Sequence, residues 1–158
     1  MMPRKILLLL FTALLASCSK RDSINEDQEP LSNLTPTVQE NELFQLVNKH
    51  RNTLDLNNLA FDKVSYTLAS SHSQYMVIKG HTSHAKFNER AAQITAETGA
   101  ELVAENVAND YLTIEDVMSA WLNSPGHKKN IEGDYTHSSI SIKVDASQNL
   151  YFTQIFYR

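Results

Sequence analysis

One histidine lies where a helix is expected to begin, in the segment WLNSPGHKKNI at residues 121–131. Proline lacks an N–H and disfavours helical geometry in the residue before it, so Ser124 and Pro125 predict the end of one helix and the start of another. Ser124 is expected to cap the second helix, which places His127 in its first turn. The positive end of the helix dipole favours the neutral imidazole there, and a neutral imidazole can bind a metal ion.

Several common catalytic motifs are absent from the sequence. The serines near His127 lie in no nucleophile-elbow pattern and beside no assigned base. There is also no HExxH motif on a helix, no glycine-rich phosphate loop and no cofactor fingerprint. An enzyme built on this chain would therefore use a metal-bound water.

The elements that must position His127 begin with four longer helices, predicted from capping residues and helical periodicity. Thr37 and Glu40 have the spacing of a capping box at the start of the first helix. The other three are predicted from Asp62 to Gly80, from Asn88 to Thr98, and from Thr113 to Trp121 or shortly after. Trp121 falls on the inner face of the fourth helix, which predicts a core residue.

Three further segments have the pattern of strands: ELVAENVA, SSISIKV and LYFTQIFYR. In the second, Ile140, Ile142 and Val144 alternate with polar residues, and the segment DASQN joins it to the third as an expected hairpin. Because helices outnumber strands, the sequence predicts an α+β fold. A small antiparallel sheet of about three strands would carry helices on both faces.

The first residues have the pattern of an export signal. Residues 1–17 contain Arg4 and Lys5 and then ILLLLFTALLAS, an apolar core too short to span a bilayer, which needs roughly 20 residues. The residues LAS before Cys18 resemble the lipobox of bacterial lipoproteins. This resemblance implies cleavage before Cys18 and attachment of lipid to that residue, with the membrane as its partner. Cys18 is the single cysteine, so the chain has no intramolecular disulfide.

Residues 18–36 are polar and charged, contain Pro30 and Pro36, and predict a flexible tether. The remaining residues, 37–158, are enough for one domain with a core. Without Arg4 and Lys5, 12 basic residues stand against 18 acidic ones, a net charge of −6. A chain this acidic is a poor candidate for binding nucleic acid.

Six segments, in this order and spacing, resemble the CAP superfamily of cysteine-rich secretory, venom-antigen and plant pathogenesis-related proteins. They are LVNKHRNTLDLNNLAFD, ASSHSQYM, TSHAKF, AENVA, WLNSPGHKKNI and YFTQIF, and they cover about residues 40–158. The resemblance implies an α-β-α sandwich, in agreement with the layers predicted from periodicity. It also implies a cleft lined by two histidines and one or two acidic residues.

On the residues that match, the resemblance assigns the cleft to His84, Glu105 and His127. Two imidazoles and one carboxylate form a ligand set suited to zinc or another divalent metal, with one position left for water. The same groups without metal could act as a general acid/base pair. Many relatives carry a second glutamate after the tryptophan, but here the chain continues directly into Ser124 and Pro125.

Less specific roles are open for these residues and for the other histidines. Glu105 could form an ion pair with a neighbouring helix, and Asn106 could satisfy backbone groups at the end of a strand. His81 and His137 are near enough in the sequence to reach the cleft and are left out of the core ligand set. His50 and His72 lie on helix stripes, where a core or boundary position is expected.

The sequence and the resemblance together predict an extracytoplasmic lipoprotein of the bacterial cell envelope. A binding module for a peptide, a lipid or a cell-wall glycan is favoured, because the family resembles a binding scaffold. The alternative is a zinc-dependent hydrolase that uses a metal-bound water.

Overall fold

The computed structural model describes residues 34–158. The predicted signal peptide, the predicted lipidation site Cys18 and almost all of the predicted tether lie outside these residues. The described elements, in chain order, are α1 (Val38–Asn52), β1 (Ala60–Phe61), α2 (Lys63–Lys79), α3 (Phe87–Thr98), β2 (Val103–Asn109), α4 (Ile114–Asn123), α5 (Pro125–Ile131), β3 (His137–Val144) and β4 (Leu150–Tyr157).

The sheet has four strands in the order β1-β3-β4-β2. The three long strands are antiparallel, as predicted, and β4 lies between β3 and β2. The added strand β1 has only two residues and runs parallel to β3. It is held in place by Asn48, whose side chain makes two hydrogen bonds to the backbone of Leu59. Two residues are too few to produce an alternating pattern, so the sequence did not predict this strand.

Helices cover both faces of the sheet, which confirms the predicted α+β architecture. On one face α2 packs against β3 and β4 through small polar side chains, with Ser73 donating to Thr153 and Ser65 donating to Ser139. On the other face α1, α4 and α5 form the main apolar core with inward residues of β3 and β4. Trp121 of α4 belongs to this core and is buried, as predicted.

The helix ends follow local capping chemistry. Thr37 and Glu40 form the predicted capping box, and Asp62 and Thr113 each accept a hydrogen bond from the backbone of their own first turn. The prediction that Ser124 caps α5 was wrong in one respect, because its side chain makes no capping hydrogen bond. Its backbone N–H instead donates to the Trp121 carbonyl and closes α4, so one residue joins the two helices.

A buried cation fixes α5 relative to α1. Arg51, near the end of α1, is fully buried and donates from Nη1 to the carbonyls of Ile131 and Gly133, both at 2.8 Å. Its Nε and Nη2 donate to the backbone and side-chain oxygens of Asn57. The C-terminal end of α5 is therefore held by a side chain from 80 residues earlier in the chain.

Candidate functional site

The three predicted site residues are placed around one strand. Glu105 is the third residue of β2, which pairs with β4 on one side and with no other strand of the described residues on the other. His84 lies in the loop between α2 and α3, and His127 lies in the first turn of α5. Three separate elements therefore converge on the open edge of β2.

Glu105 and His84 are in direct contact. The Glu105 side chain is 1% exposed, and its Oε1 accepts a hydrogen bond of 2.9 Å from Nδ1 of His84. Because a carboxylate only accepts, Nδ1 of His84 carries a proton in this contact. Nε2 is the ring nitrogen that is not bonded to Glu105. The His84 side chain is 55% exposed, so its ring also faces solvent. This pair is the part of the predicted site that the structure brings together most closely.

Arg90 of α3, which the sequence analysis did not single out, binds the same carboxylate. Its Nε donates to Oε2 at 2.9 Å, and its Nη2 donates to Oε1 at 2.8 Å. Charge-assisted, bidentate pairs of this kind are among the strongest polar contacts in proteins. A partner for Glu105 on a neighbouring helix was one of the open alternatives, and α3 supplies it.

His72 of α2 also belongs to this cluster, although its helical stripe predicted only a core or boundary residue. Its Nε2 lies 3.8 Å from Oε1 of Glu105 and donates to the Ser83 carbonyl at 2.6 Å. Its ring stacks on Tyr75, with 5.7 Å between ring centres. Burial lowers the pKa of His72 more than the nearby Glu105 raises it, so the ring is neutral at pH 7. His72 is therefore buried, as expected, and it lies next to Glu105.

His127 lies in a neighbouring hollow and makes no hydrogen bond or ion pair with Glu105 among the described residues. This hollow, of about 230 Å³, is lined by Thr82, Asn109, Trp121 and Ser124 as well as His127. A second hollow of about 250 Å³ contains His84 and Glu105 and lies against the preceding residues of β2. We call the two hollows together the β2 cleft.

The His127 imidazole is neutral, as the sequence predicted, but mainly for a different reason. Burial lowers the pKa of His127, and the nearby His84 ring, whenever it is protonated, acts in the same direction. The two imidazoles therefore lie close enough to interact electrostatically across the cleft. The ring of His127 lies beside that of Trp121, with 6.4 Å between ring centres.

Two asparagines attach α5 to β2. Asn130 donates to the Glu105 carbonyl at 3.2 Å and to Oδ1 of Asn106 at 2.9 Å. Asn106 in turn donates to the carbonyl of His127 at 3.2 Å. Asn106 therefore satisfies a backbone carbonyl, as one alternative proposed. That carbonyl belongs to His127 in α5.

The remaining histidines lie outside the cluster. His50 contacts Glu132 at 2.8 Å, and the exposed His81 contacts the Lys79 carbonyl at 3.0 Å. His137 stacks on Tyr157, with 4.7 Å between ring centres. Neither His81 nor His137 makes a hydrogen bond or ion pair with Glu105 among residues 34–158.

The donor set does not fit a zinc ion in this arrangement. Among residues 34–158 no three His, Cys, Asp or Glu side chains are grouped so that they could hold a metal. Both oxygens of Glu105 already accept from Arg90, and Nδ1 of His84 is directed at Glu105. A zinc ligand must offer a free lone pair about 2.0 to 2.2 Å from the metal. Only the outward nitrogen of His84 and the ring of His127 offer one without rearrangement.

No helix in the part of the chain described, residues 34–158, is both long enough and apolar enough to cross a membrane.

Known proteins resemble this chain in sequence and in fold. Residues 44–156 match the cysteine-rich secretory protein family, CAP. The uncharacterized membrane protein YlbC of Bacillus subtilis is 30% identical over 124 residues, which are 76% of this chain and 34% of YlbC. The uncharacterized protein YkwD of the same organism is 30% identical over 109 residues, 64% of this chain and 41% of YkwD. The chain thus spans about a third of YlbC and about two-fifths of YkwD.

Solved structures share the fold. An outer surface protein from Borrelia burgdorferi has a TM-score of 0.70 at 20% identity, covering 79% of this chain and 96% of that protein. An extracellular protein of Bacillus anthracis that contains an SCP domain has a TM-score of 0.66 at 26% identity, covering 76% of this chain and 40% of that protein. With the family match extending over residues 44–156, the chain belongs to the cysteine-rich secretory protein (CAP) family.

Proposed function

We propose that this protein is a binding module of the bacterial cell envelope, and that the β2 cleft receives the ligand. The observation that carries the proposal is the arrangement at Glu105. Its carboxylate is buried and held by Arg90 and His84, while the His84 ring remains half exposed at the mouth of an open hollow. A rigid polar centre beside open hollows is typical of a recognition site.

Binding is favoured over catalysis because the Glu105 carboxylate is already hydrogen-bonded and, among the described residues, neither cleft histidine is paired with a serine nucleophile. Arg90 holds both oxygens of the buried Glu105 side chain, so the carboxylate is not placed to contact a proton of a substrate. No serine hydroxyl is hydrogen-bonded to the ring of His84 or His127 in the part of the chain described, 34–158. The two imidazoles can instead exchange hydrogen bonds with a peptide, a glycan or a lipid headgroup, which are the ligand classes we propose.

The binding proposal is tested by titrating the purified, isotope-labelled protein with a soluble muropeptide and, separately, with anionic phospholipid vesicles. We expect one probe to shift the backbone NMR signals of β2 and of residues around His84 and His127. His84→Ala and His127→Ala should each weaken that binding at least tenfold, which corresponds to about 1.4 kcal/mol.

His81→Ala is the matched control, because His81 lies in the same loop as His84 and contacts only the Lys79 carbonyl. Its affinity for the probe should equal that of the unaltered protein. Unchanged affinity in both cleft variants would place the ligand elsewhere on the domain.

The second candidate function is a zinc-dependent hydrolase. It is supported by the neutral His127 and by the outward nitrogen of His84, two groups of the kind that bind zinc. Bound zinc would supply an activated water, but a third protein ligand at Glu105 would require Arg90 to release the carboxylate. Turnover of the muropeptide that disappears with a chelator and returns with zinc would favour the hydrolase over the binding module.

We also propose that the domain is attached to the membrane through lipid on Cys18 and lies outside the cytoplasm. The proposal is supported by the lipobox-like LAS before Cys18 and by the names of the similar structures, an outer surface protein and an extracellular protein. More than one acyl chain on a cysteine is sufficient for stable anchoring.

The anchoring proposal predicts that Cys18→Ala moves the protein from the membrane fraction to the soluble fraction, or leaves its precursor uncleaved. Fractionation followed by mass determination of the mature N-terminus measures both outcomes. Ser19→Ala, one residue further on, should leave processing and membrane attachment unchanged. A Cys18→Ala protein that is still membrane-bound and is processed at the same position would contradict lipidation.

A further inference from the structure

Arg90 is held beside Glu105 by contacts on all three nitrogens of its guanidinium group. Besides the two bonds to Glu105, its Nη1 donates to the Ala85 carbonyl at 2.7 Å. The side chain is only 11% exposed. The carbonyl contact comes from the loop that precedes α3, so the position of the cation is set by its own segment of the chain as well as by the carboxylate.

The same short segment also positions His84. The N–H of Phe87 donates to the His84 carbonyl, and the N–H of Arg90 donates to the Lys86 carbonyl. Lys86 has a left-handed backbone, with φ of 60°, where α3 begins. A non-glycine residue seldom adopts this conformation, and here it bends the chain so that His84 and Arg90 approach Glu105 together.

The charges of the cluster already balance. A carboxylate that is only 1% exposed needs a compensating charge, and the Arg90 guanidinium beside it supplies one. A divalent cation at Glu105 would therefore add two uncompensated positive charges beside a guanidinium that is held in place.

The lone pairs of the carboxylate are nearly all in use. A carboxylate offers about four acceptor positions. Oε1 accepts from Nη2 of Arg90 and from Nδ1 of His84, and Oε2 accepts from Nε of Arg90 and lies 2.7 Å from Nη2. A metal could bind Glu105 only if the guanidinium moved away.

From this geometry we infer that Arg90 takes the place of a metal cation at Glu105 and keeps divalent ions off the carboxylate. Arg90 is thus a positioning residue: it holds Glu105, and through Glu105 it holds Nδ1 of His84, so that only the outward face of the imidazole is presented to a ligand. The inference goes beyond the proposed binding function and does not depend on the identity of the ligand.

Zinc calorimetry on the purified, untagged protein tests the inference, in a Cys18→Ser background so that no free thiol binds the metal. We expect Glu105→Gln to change zinc affinity by less than twofold when Arg90 is present. Arg90→Met should bind zinc at least tenfold more tightly, and the double variant Arg90→Met with Glu105→Gln should lose that gain. Arg90→Lys keeps the positive charge and should bind zinc as weakly as the unaltered protein.

Two outcomes would overturn the inference. One is a tenfold or larger loss of zinc affinity in Glu105→Gln alone, since it would mean that zinc reaches Glu105 past Arg90. The other is an Arg90→Met protein with an unaltered circular dichroism spectrum and no gain in affinity. If Arg90→Met does not fold, the comparison of the unaltered protein with Glu105→Gln decides the matter by itself. None of these results depends on muropeptide or vesicle binding, so failure here is distinct from failure of the proposed function.

Discussion

Replacing Trp121 with alanine is expected to lower the free energy of unfolding by about 3 to 5 kcal/mol. Trp121 is 1% exposed and is the largest fully buried side chain among residues 34–158. It belongs to the main core between the sheet and the helices α1, α4 and α5. Its removal leaves a cavity that this close-packed layer can fill only in part, so both the lost burial and the cavity contribute to the loss.

Urea denaturation followed by circular dichroism measures the loss. Ile78→Ala is the control, because Ile78 is an apolar residue of α2 that is 73% exposed, and its change should stay within about 0.5 kcal/mol. A loss below about 1 kcal/mol for Trp121→Ala would mean that this residue does not anchor the core.

Replacing Arg51 with methionine is expected to have the second large effect, a loss of about 3 kcal/mol or more in the free energy of unfolding. Burial lowers the pKa of Arg51, and the charge of Asp134 opposes that shift, but the group stays charged at any ordinary pH. Its charge is compensated mainly by the carbonyl oxygens of Ile131, Gly133 and Asn57. Methionine keeps most of the volume but removes the donor from the buried Ile131 carbonyl and from the part-buried Gly133 and Asn57 carbonyls. A buried acceptor left unsatisfied costs about 1 to 3 kcal/mol, and a part-buried one costs less.

Arg51→Met should also move α5, because Arg51 holds the C-terminal end of that helix. Urea denaturation measures the stability, and the NMR signals of the His127 ring report the position of the helix. Lys49→Met is the matched control, since Lys49 is an exposed basic residue on the same helix. Should Arg51→Met unfold at the same urea concentration as Lys49→Met, the carbonyl cluster would not be a stabilising contact.

Local signals allowed much of the fold to be predicted. Thr37, Asp62 and Thr113 each mark a helix start because a side-chain oxygen can reach the backbone only two or three residues ahead, a distance that is visible in the sequence. The alternation of Ile140 and Ile142 likewise reflects a sheet with different surroundings on its two faces. Such patterns involve neighbours along the chain, and they do not require the tertiary structure to be known.

The contacts that define the site join residues that are far apart in the sequence. Arg90 meets Glu105 from 15 residues away, with no local pattern that marks either partner. His72 lies on an ordinary helical stripe, and only the packing of α2 against the sheet brings it near Glu105. The resemblance to the family could name His84, Glu105 and His127, but it could not show which charge neutralises the carboxylate. The one clue to Arg90 was a single basic residue within its helix, and that feature is too common to be specific.

The order of strands in the sheet has a consequence for the time at which this protein can fold. The strand β4 joins β3 to β2, yet it follows every other described element in the chain. While the chain is being synthesised or threaded across a membrane, β2 and β3 have no common partner until residues 150–157 arrive. Sheet contacts between distant residues form slowly, and unpaired strands are prone to aggregate. We therefore expect the domain to fold only after these residues have been synthesised, and the unpaired edges of β2 and β3 stay open to aggregation until then.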